Sequence, residues 1–139
     1  MADHGTAHMG LRLWPVPSEL ARARAFAGAA GRRFGLGEQE RRDFELAASE
    51  AVANAIEHGE PCFDGAIHIW TTETDNVLGF GVRNAGEFVV RSLSDDPLAE
   101  RGRGLFLMSS LVHSVALSQS TDHVVVELRV LRPVAGLDG

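Results

Sequence analysis

The sequence predicts an α+β two-layer sandwich, a mixed and mostly antiparallel sheet with about three helices packed on one face. Three observations lead there. Four segments alternate or run apolar over strand length: Ala66–Thr72, Val77–Val82, Ser114–Gln119 and His123–Leu131. Within each pair of segments the connection is short and polar, Glu73–Asn76 in one and Ser120–Asp122 in the other, as hairpins require. Two helical runs with apolar faces precede the first pair, and a third run stands between the pairs.

Taken in order, the first ten residues are rich in Gly, His and Ala and read as a flexible tail, with His4 and His8 belonging to it and not to a metal site. Leu11-Arg-Leu-Trp14 reads as a short strand ended by Pro15 and Pro17. Ser18 is the candidate N-cap of a helix running to about Phe34, with Glu19 in its first turn. Leu20, Ala23, Ala27 and Ala30 give that helix an apolar face, and Gly35 and Gly37 end it. A second helix stops before Gly59-Glu-Pro61. His68 reads as an ordinary position in the strand that follows. Arg91–Arg101 is polar and irregular, with a turn signal at Asp95-Asp96-Pro97, and reads as a surface loop or lid. Gly102-Arg-Gly104 opens a third helix from Leu105 to about Val112. The closing hairpin is followed by a second flexible tail, 133–139, which leaves residues 11–132 as one domain.

Composition narrows the chemistry. A net charge of −6 leaves no basic excess to neutralise phosphates and argues against a nucleic-acid binder. The single cysteine, Cys62, excludes an internal disulfide and reads as a plain loop thiol. No apolar run reaches membrane-spanning length and no secretory signal opens the chain, so a cytoplasmic protein is expected. All 13 basic residues are arginine. The lack of lysine removes the P-loop lysine, the strand lysine of protein kinases and Schiff-base chemistry. Any nucleotide site must therefore use glycine backbone, helix ends, arginine and a metal.

The densest signal is Glu45-Leu-Ala-Ala-Ser-Glu-Ala-Val-Ala-Asn-Ala-Ile-Glu-His58. At about 100° per residue, Glu50, Asn54 and His58 fall within roughly 80° of one another on a helix. Ala47, Ala48, Ala51, Val52, Ala55 and Ile56 surround them, so an acid and an amide sit at the border of a packed face, able to supply a proton acceptor and a metal ligand. A solvated helix edge would show the same two residues, and it is the glycine-rich elements that favour a site. Gly102-Arg-Gly104 enters a helix whose first N–H groups and dipole suit a phosphate, and Arg101 and Arg103 add charge. Asn84-Ala-Gly86, at a strand end, offers an amide that can read a base edge, with Gly86 permitting an unusual turn.

Together these elements resemble the ATP-binding fold shared by gyrase B, Hsp90, histidine kinases and MutL. They look most like the small bacterial anti-sigma factor serine/threonine kinases. The resemblance covers about residues 11–131, with Glu45–His58 similar to that family's N-box and Glu100–Met108 similar to its second glycine box. It implies ATP and Mg²⁺ as cofactors, Asn54 as the Mg²⁺ ligand, and Glu50 as general base toward a serine hydroxyl or water. It implies that the amides of Gly102, Arg103 and Gly104 cradle phosphate and that Arg101 lies near the terminal phosphate or the partner. Asn84 and Gly86 would line the adenine side. The implied partners are a sigma factor, an anti-sigma factor antagonist protein and a second copy in a homodimer, with neither nucleic acid nor membrane.

The sequence departs from that pattern in one place. The family's first glycine box reads Asp-x-Gly-x-Gly, and here Asn84 replaces the aspartate and Phe88 the last glycine. Two readings stay open: a protein serine kinase that also sequesters a sigma factor, and a non-catalytic regulatory module with a degraded ATP site that acts by sequestration alone.

Overall fold

The computed structural model describes residues 7–60, 62–85 and 108–132. Strand β1 (Ala7–Leu13) leads through a 3-10 turn at Pro17–Glu19 into α1 (Leu20–Phe34) and α2 (Glu38–His58). Strands β2 (Ile67–Glu73) and β3 (Val77–Ala85) follow, then β4 (Ser114–Gln119) and β5 (His123–Leu131). A helical turn at 108–111 precedes β4. The strands form one sheet in the order β1-β2-β3-β5-β4, with the helices against one face, an α+β sandwich as the sequence predicts.

The expected mixed sheet is corrected: every strand pair among the described residues is antiparallel. The reason lies in the connection between β1 and β2. One helix between two strands returns the chain for parallel pairing. Here two helices joined by the short segment 35–37 reverse the chain once more, so β2 enters antiparallel to β1.

The start of the sheet also differs from the expected Leu11–Trp14. Residues 7–10, read as tail, pair with β2 in an unbroken register from Ala7 opposite Glu73 to Leu13 opposite Ile67. Pairing uses backbone groups alone, and His8, Met9 and Gly10 are exposed, so no apolar alternation announces the strand. Trp14 falls beyond its end and is 60% exposed. Ser18 does not cap α1, because the 3-10 turn has no side-chain cap and Glu19 instead accepts a hydrogen bond from the Trp14 amide at 2.9 Å. At the other end the expectation holds. Gly35 takes φ 93°, and the amides of Gly35 and Leu36 both bond to the Gly31 carbonyl, closing the helix with a left-handed residue that suits glycine. Of the expected third helix, the part before Met108 lies outside the described residues.

The core fills the space between the helix pair and the sheet. Ala23, Ala27 and Ala30 of α1 and Ala47, Ala48 and Ala51 of α2 are almost wholly buried, which lets the helices pack closely. Larger groups, Phe34, Phe44, Ile67, Ile69, Leu78, Phe80, Val82 and Leu128, complete the layer. Phe44 of α2 meets Phe80 of β3 edge to face, with ring centroids 6.2 Å apart and planes at 87°. On the opposite sheet face Trp70 lies over Gly81, where a Cβ would overlap its indole.

Phe44→Ala is expected to lower the unfolding free energy by about 3–5 kcal/mol, since Phe44 is fully buried and joins helix to sheet. Urea denaturation measures this, and a loss below about 1 kcal/mol would show that the layer collapses around the vacancy.

Candidate functional site

Helix α2 builds the site by anchoring one face and leaving its border free. Phe44, Ala47, Ala48, Ala51, Val52 and Ala55 are buried. Measured around the helix from the centre of that face, Asn54 lies roughly 90° away and Glu50 roughly 130°. Both are half-buried accordingly. Six polar residues earlier in α2 are tied in pairs: Arg42 to Glu38 at 3.0 Å, Gln39 to Asp43 at 2.9 Å and Arg41 to Glu45 at 3.1 Å. Glu50 and Asn54 differ, since no described residue hydrogen-bonds or ion-pairs with either side chain.

The C-terminal end of α2 is fixed to the end of β3. The Gly59 amide bonds to the Ala55 carbonyl at 3.0 Å, and the Ala85 amide to the Glu60 carbonyl at 2.8 Å. Asn84 is the penultimate residue of β3 and not a residue beyond it. It shares the helix-facing row of Leu13, Ile67 and Val124, only 8% exposed, and its Nδ2 donates to the Ala85 carbonyl at 3.0 Å. A Cβ at Gly59 would overlap the Asn84 carboxamide, so glycine is required there for α2 to end against β3. The structure thus brings Asn84 against the last turn of the helix that carries Asn54. Gly86, Phe88, Arg101, Gly102, Arg103 and Gly104 lie outside the described residues, as does the lid at Arg91–Arg101.

The donor set on α2 fits the implied Mg²⁺ and nucleotide. An amide oxygen at Asn54 and a carboxylate at Glu50 are hard ligands. The described residues include no group of three or more His, Cys, Asp or Glu able to hold a metal by itself, so an ion here would draw most of its ligands from phosphate oxygens and water.

Sequence reasoning missed a second polar cluster. Asp64 Oδ2 receives His68 Nε2 at 2.9 Å and Arg12 Nη1 at 3.3 Å, while its Oδ1 accepts the Ala66 amide at 3.1 Å. The hydrogen bond from His68, followed by those from Ala66 and Arg12, holds the Asp64 carboxyl down to about 2, against the opposing effect of desolvation. Arg12 comes from another strand, and no local period links Asp64 to His68, so only the β1–β2 register reveals the group. Cys62 is more enclosed than a loop thiol suggests, buried with its Sγ donating to the Arg83 carbonyl at 3.6 Å. At the β4–β5 turn, His123 contacts Ser120 Oγ at 2.8 Å and Asp122 at 2.9 Å, stitching an exposed hairpin.

The described residues thus form a five-stranded antiparallel sheet covered on one face by paired helices. Residues 13–130 match the model of the histidine kinase-like ATPase domain, and the chain belongs to that family. Its structure is similar to the crystal structure of the RsbU and RsbW domains of Rv1364c from Mycobacterium tuberculosis, with a TM-score of 0.68 and 19% identity over 90% of this chain. The match covers 32% of that solved chain, and the likeness is one of fold. No curated protein matches the chain. No described helix is long and apolar enough to cross a membrane.

The Asp64 cluster gives a pH dependence. Its folded-state carboxyl, near 2, lies below the ordinary 3.8, so the folded protein holds that proton less tightly than the unfolded chain. The stabilisation is therefore complete above about pH 4 and is lost as the pH falls toward 2. Denaturant midpoints collected across that range are expected to fall less steeply for Asp64→Asn than for the natural chain; parallel curves would remove Asp64 as a source of acid sensitivity.

Proposed function

We propose that this chain is an anti-sigma factor with ATP- and Mg²⁺-dependent protein serine kinase activity toward an anti-sigma factor antagonist protein. The observation that carries this reading is the unengaged Glu50–Asn54 pair on α2, in a chain of the histidine kinase-like ATPase family. The RsbW domain in a structure of the same fold agrees with it. Bound MgATP would supply the phosphoryl group and the metal's charge. Asn54 would hold the metal through its side-chain oxygen. Glu50, one turn earlier on the same border, would accept the proton of the attacking serine hydroxyl. Arg101 and Arg103, with the backbone amides from Gly102 to Gly104, would offset phosphate charge, a task this chain performs without lysine. Asn84 and Gly86 would border the adenine. Phosphorylation of the antagonist would decide whether the sigma factor is held or released. A cytoplasmic homodimer completes the proposal.

Asn84 favours a second reading, a regulatory module that binds partners without turnover. Where the resembled family has a carboxylate, this side chain is neutral, and its Nδ2 is committed to the carbonyl of the next residue. A neutral hydrogen bond contributes about 0.5–1.5 kcal/mol against about 1.5–3 for a charged one, so adenine would be held roughly tenfold less tightly.

Isothermal titration with ATP, with and without Mg²⁺, separates the two. The kinase reading expects Mg²⁺-dependent binding that Asn54→Ala weakens by more than about tenfold. It also expects Glu50→Ala to keep binding while transfer to the antagonist falls about 10²–10⁴-fold. Normal transfer by Glu50→Ala would remove the assigned base. Absence of binding at millimolar nucleotide would leave the sequestering module.

A further inference from the structure

Strand β1 has β2 on one side and no described strand on the other. Its seven residues hold no proline and no lysine, and their register is unbroken by a bulge, so three common devices that keep an open edge from pairing are missing. Arg22 Nη1, from α1, reaches the Arg12 carbonyl at 3.4 Å, so that carbonyl is accessible from outside the β1–β2 pair. By the alternation of an antiparallel ladder, the backbone groups of His8 and Gly10 turn the same way. The side chains at positions 8, 10 and 12 share the sheet face away from the helices, in rows with Thr72, Trp70 and His68.

Gly10 sits at the centre of this edge, and the fold does not need a glycine there. A Cβ at Gly10 would find its nearest neighbour, the Ile69 carbonyl oxygen, at 3.6 Å, an ordinary contact. Its neighbour in the row, Trp70, leans the other way, over Gly81. The result is an open groove beside the indole, bordered by His8, Arg12, Arg22 and His68. In each ion pair beside this groove the cation is the more exposed partner. The Arg12 side chain is 71% exposed above an Asp64 that is 27% exposed, and Arg22 is 51% exposed above a Glu19 that is 14% exposed. The carboxylates lie beneath and the guanidinium groups outside, in a chain whose net charge is −6.

The geometry points to strand addition: β1 accepts an extended acidic segment of a partner protein as a further strand, with an acidic–x–aromatic–x–acidic alternation. The aromatic side chain fills the space over Gly10 against Trp70. The flanking carboxylates, two residues away on either side, meet Arg12 and Arg22 at one end and His8 at the other. Either strand direction preserves the pattern, because side chains two apart share a face in both. A second copy of this chain fits less well. A two-fold axis at Gly10 would set His8 opposite Arg12 of the other copy, gather four arginines at one seam and leave both spaces over Gly10 empty.

The proposal is independent of nucleotide use and is tested on the full chain by fluorescence anisotropy. The probe is a labelled, amidated peptide with Glu-Thr-Phe-Thr-Glu at its centre, compared with a Lys-Thr-Phe-Thr-Lys control. The acidic peptide is expected to bind saturably and more weakly as salt rises. Gly10→Val, which occupies the groove at a position where an added Cβ meets only an ordinary contact, and Arg12→Glu are each expected to weaken binding by about tenfold or more. Arg12→Glu is also expected to improve binding of the lysine peptide, a rescue that misfolding would not give, with circular dichroism melts reporting on both variants. The proposal is overturned if the acidic peptide does not bind, or if both peptides bind alike. It is equally overturned if sedimentation shows the natural chain dimerising through β1 in a way Gly10→Val abolishes, since a second copy would then be the occupant.

Discussion

Burial of the alanine face of α2 is the constraint on which the rest of the molecule depends. Ala47, Ala48 and Ala51 allow α1 and α2 to close on each other, and Phe44 locks the pair to the sheet through Phe80. Close packing fixes the rotation of α2 about its own axis, because a turn of one residue would drive Glu50 or Asn54 into the apolar layer with no partner. The two polar groups are thus held at the border by the cost of burying them, and not by hydrogen bonds of their own. A ligand arriving there meets groups whose positions are set and whose bonding capacity is unspent.

The same packing reaches the far end of the site. Once α2 is seated, the hydrogen bond between Ala85 and Glu60 and the contact of Gly59 with Asn84 follow, since the chain has to leave the helix against the end of β3. Asn84 is therefore both a strand residue facing the core and a wall of the candidate site. Its carboxamide suits that double duty. A carboxylate at the same enclosed position would have to shed its water, whereas the neutral amide is satisfied in part by the next carbonyl along the strand. What favours the fold at Asn84 would weaken the adenine contact proposed for it.

The features legible in the sequence were those written as local pattern in apolar residues. The β4–β5 hairpin has the bounds the sequence predicts, because Val124, Leu128 and Val130 bury one face while the turn between the strands is polar. Glu50 and Asn54 stood out for the same reason, as polar groups inside an apolar run. Strand β1 starts earlier than the sequence predicts because an outer strand with exposed His8, Met9 and Gly10 has no face to advertise. The direction of β2 relative to β1 was lost because it depends on how many helices cross between them, and the Asp64–His68–Arg12 cluster because it exists only once β1 and β2 are in register.

The sheet separates two kinds of surface, and its glycines mark how. The helix face is filled by large side chains and confines its polar groups to the border of α2. On the other face the row Gly10, Trp70, Gly81 places one large ring between two positions without side chains, and the ring covers Gly81 alone. Were Trp70 upright, it would shield both neighbours; leaning as it does, it completes the surface over β3 and opens the surface at β1. A partner strand on β1 and a nucleotide at α2 would then share a scaffold without sharing a residue, so that occupancy of one site need not depend on the other.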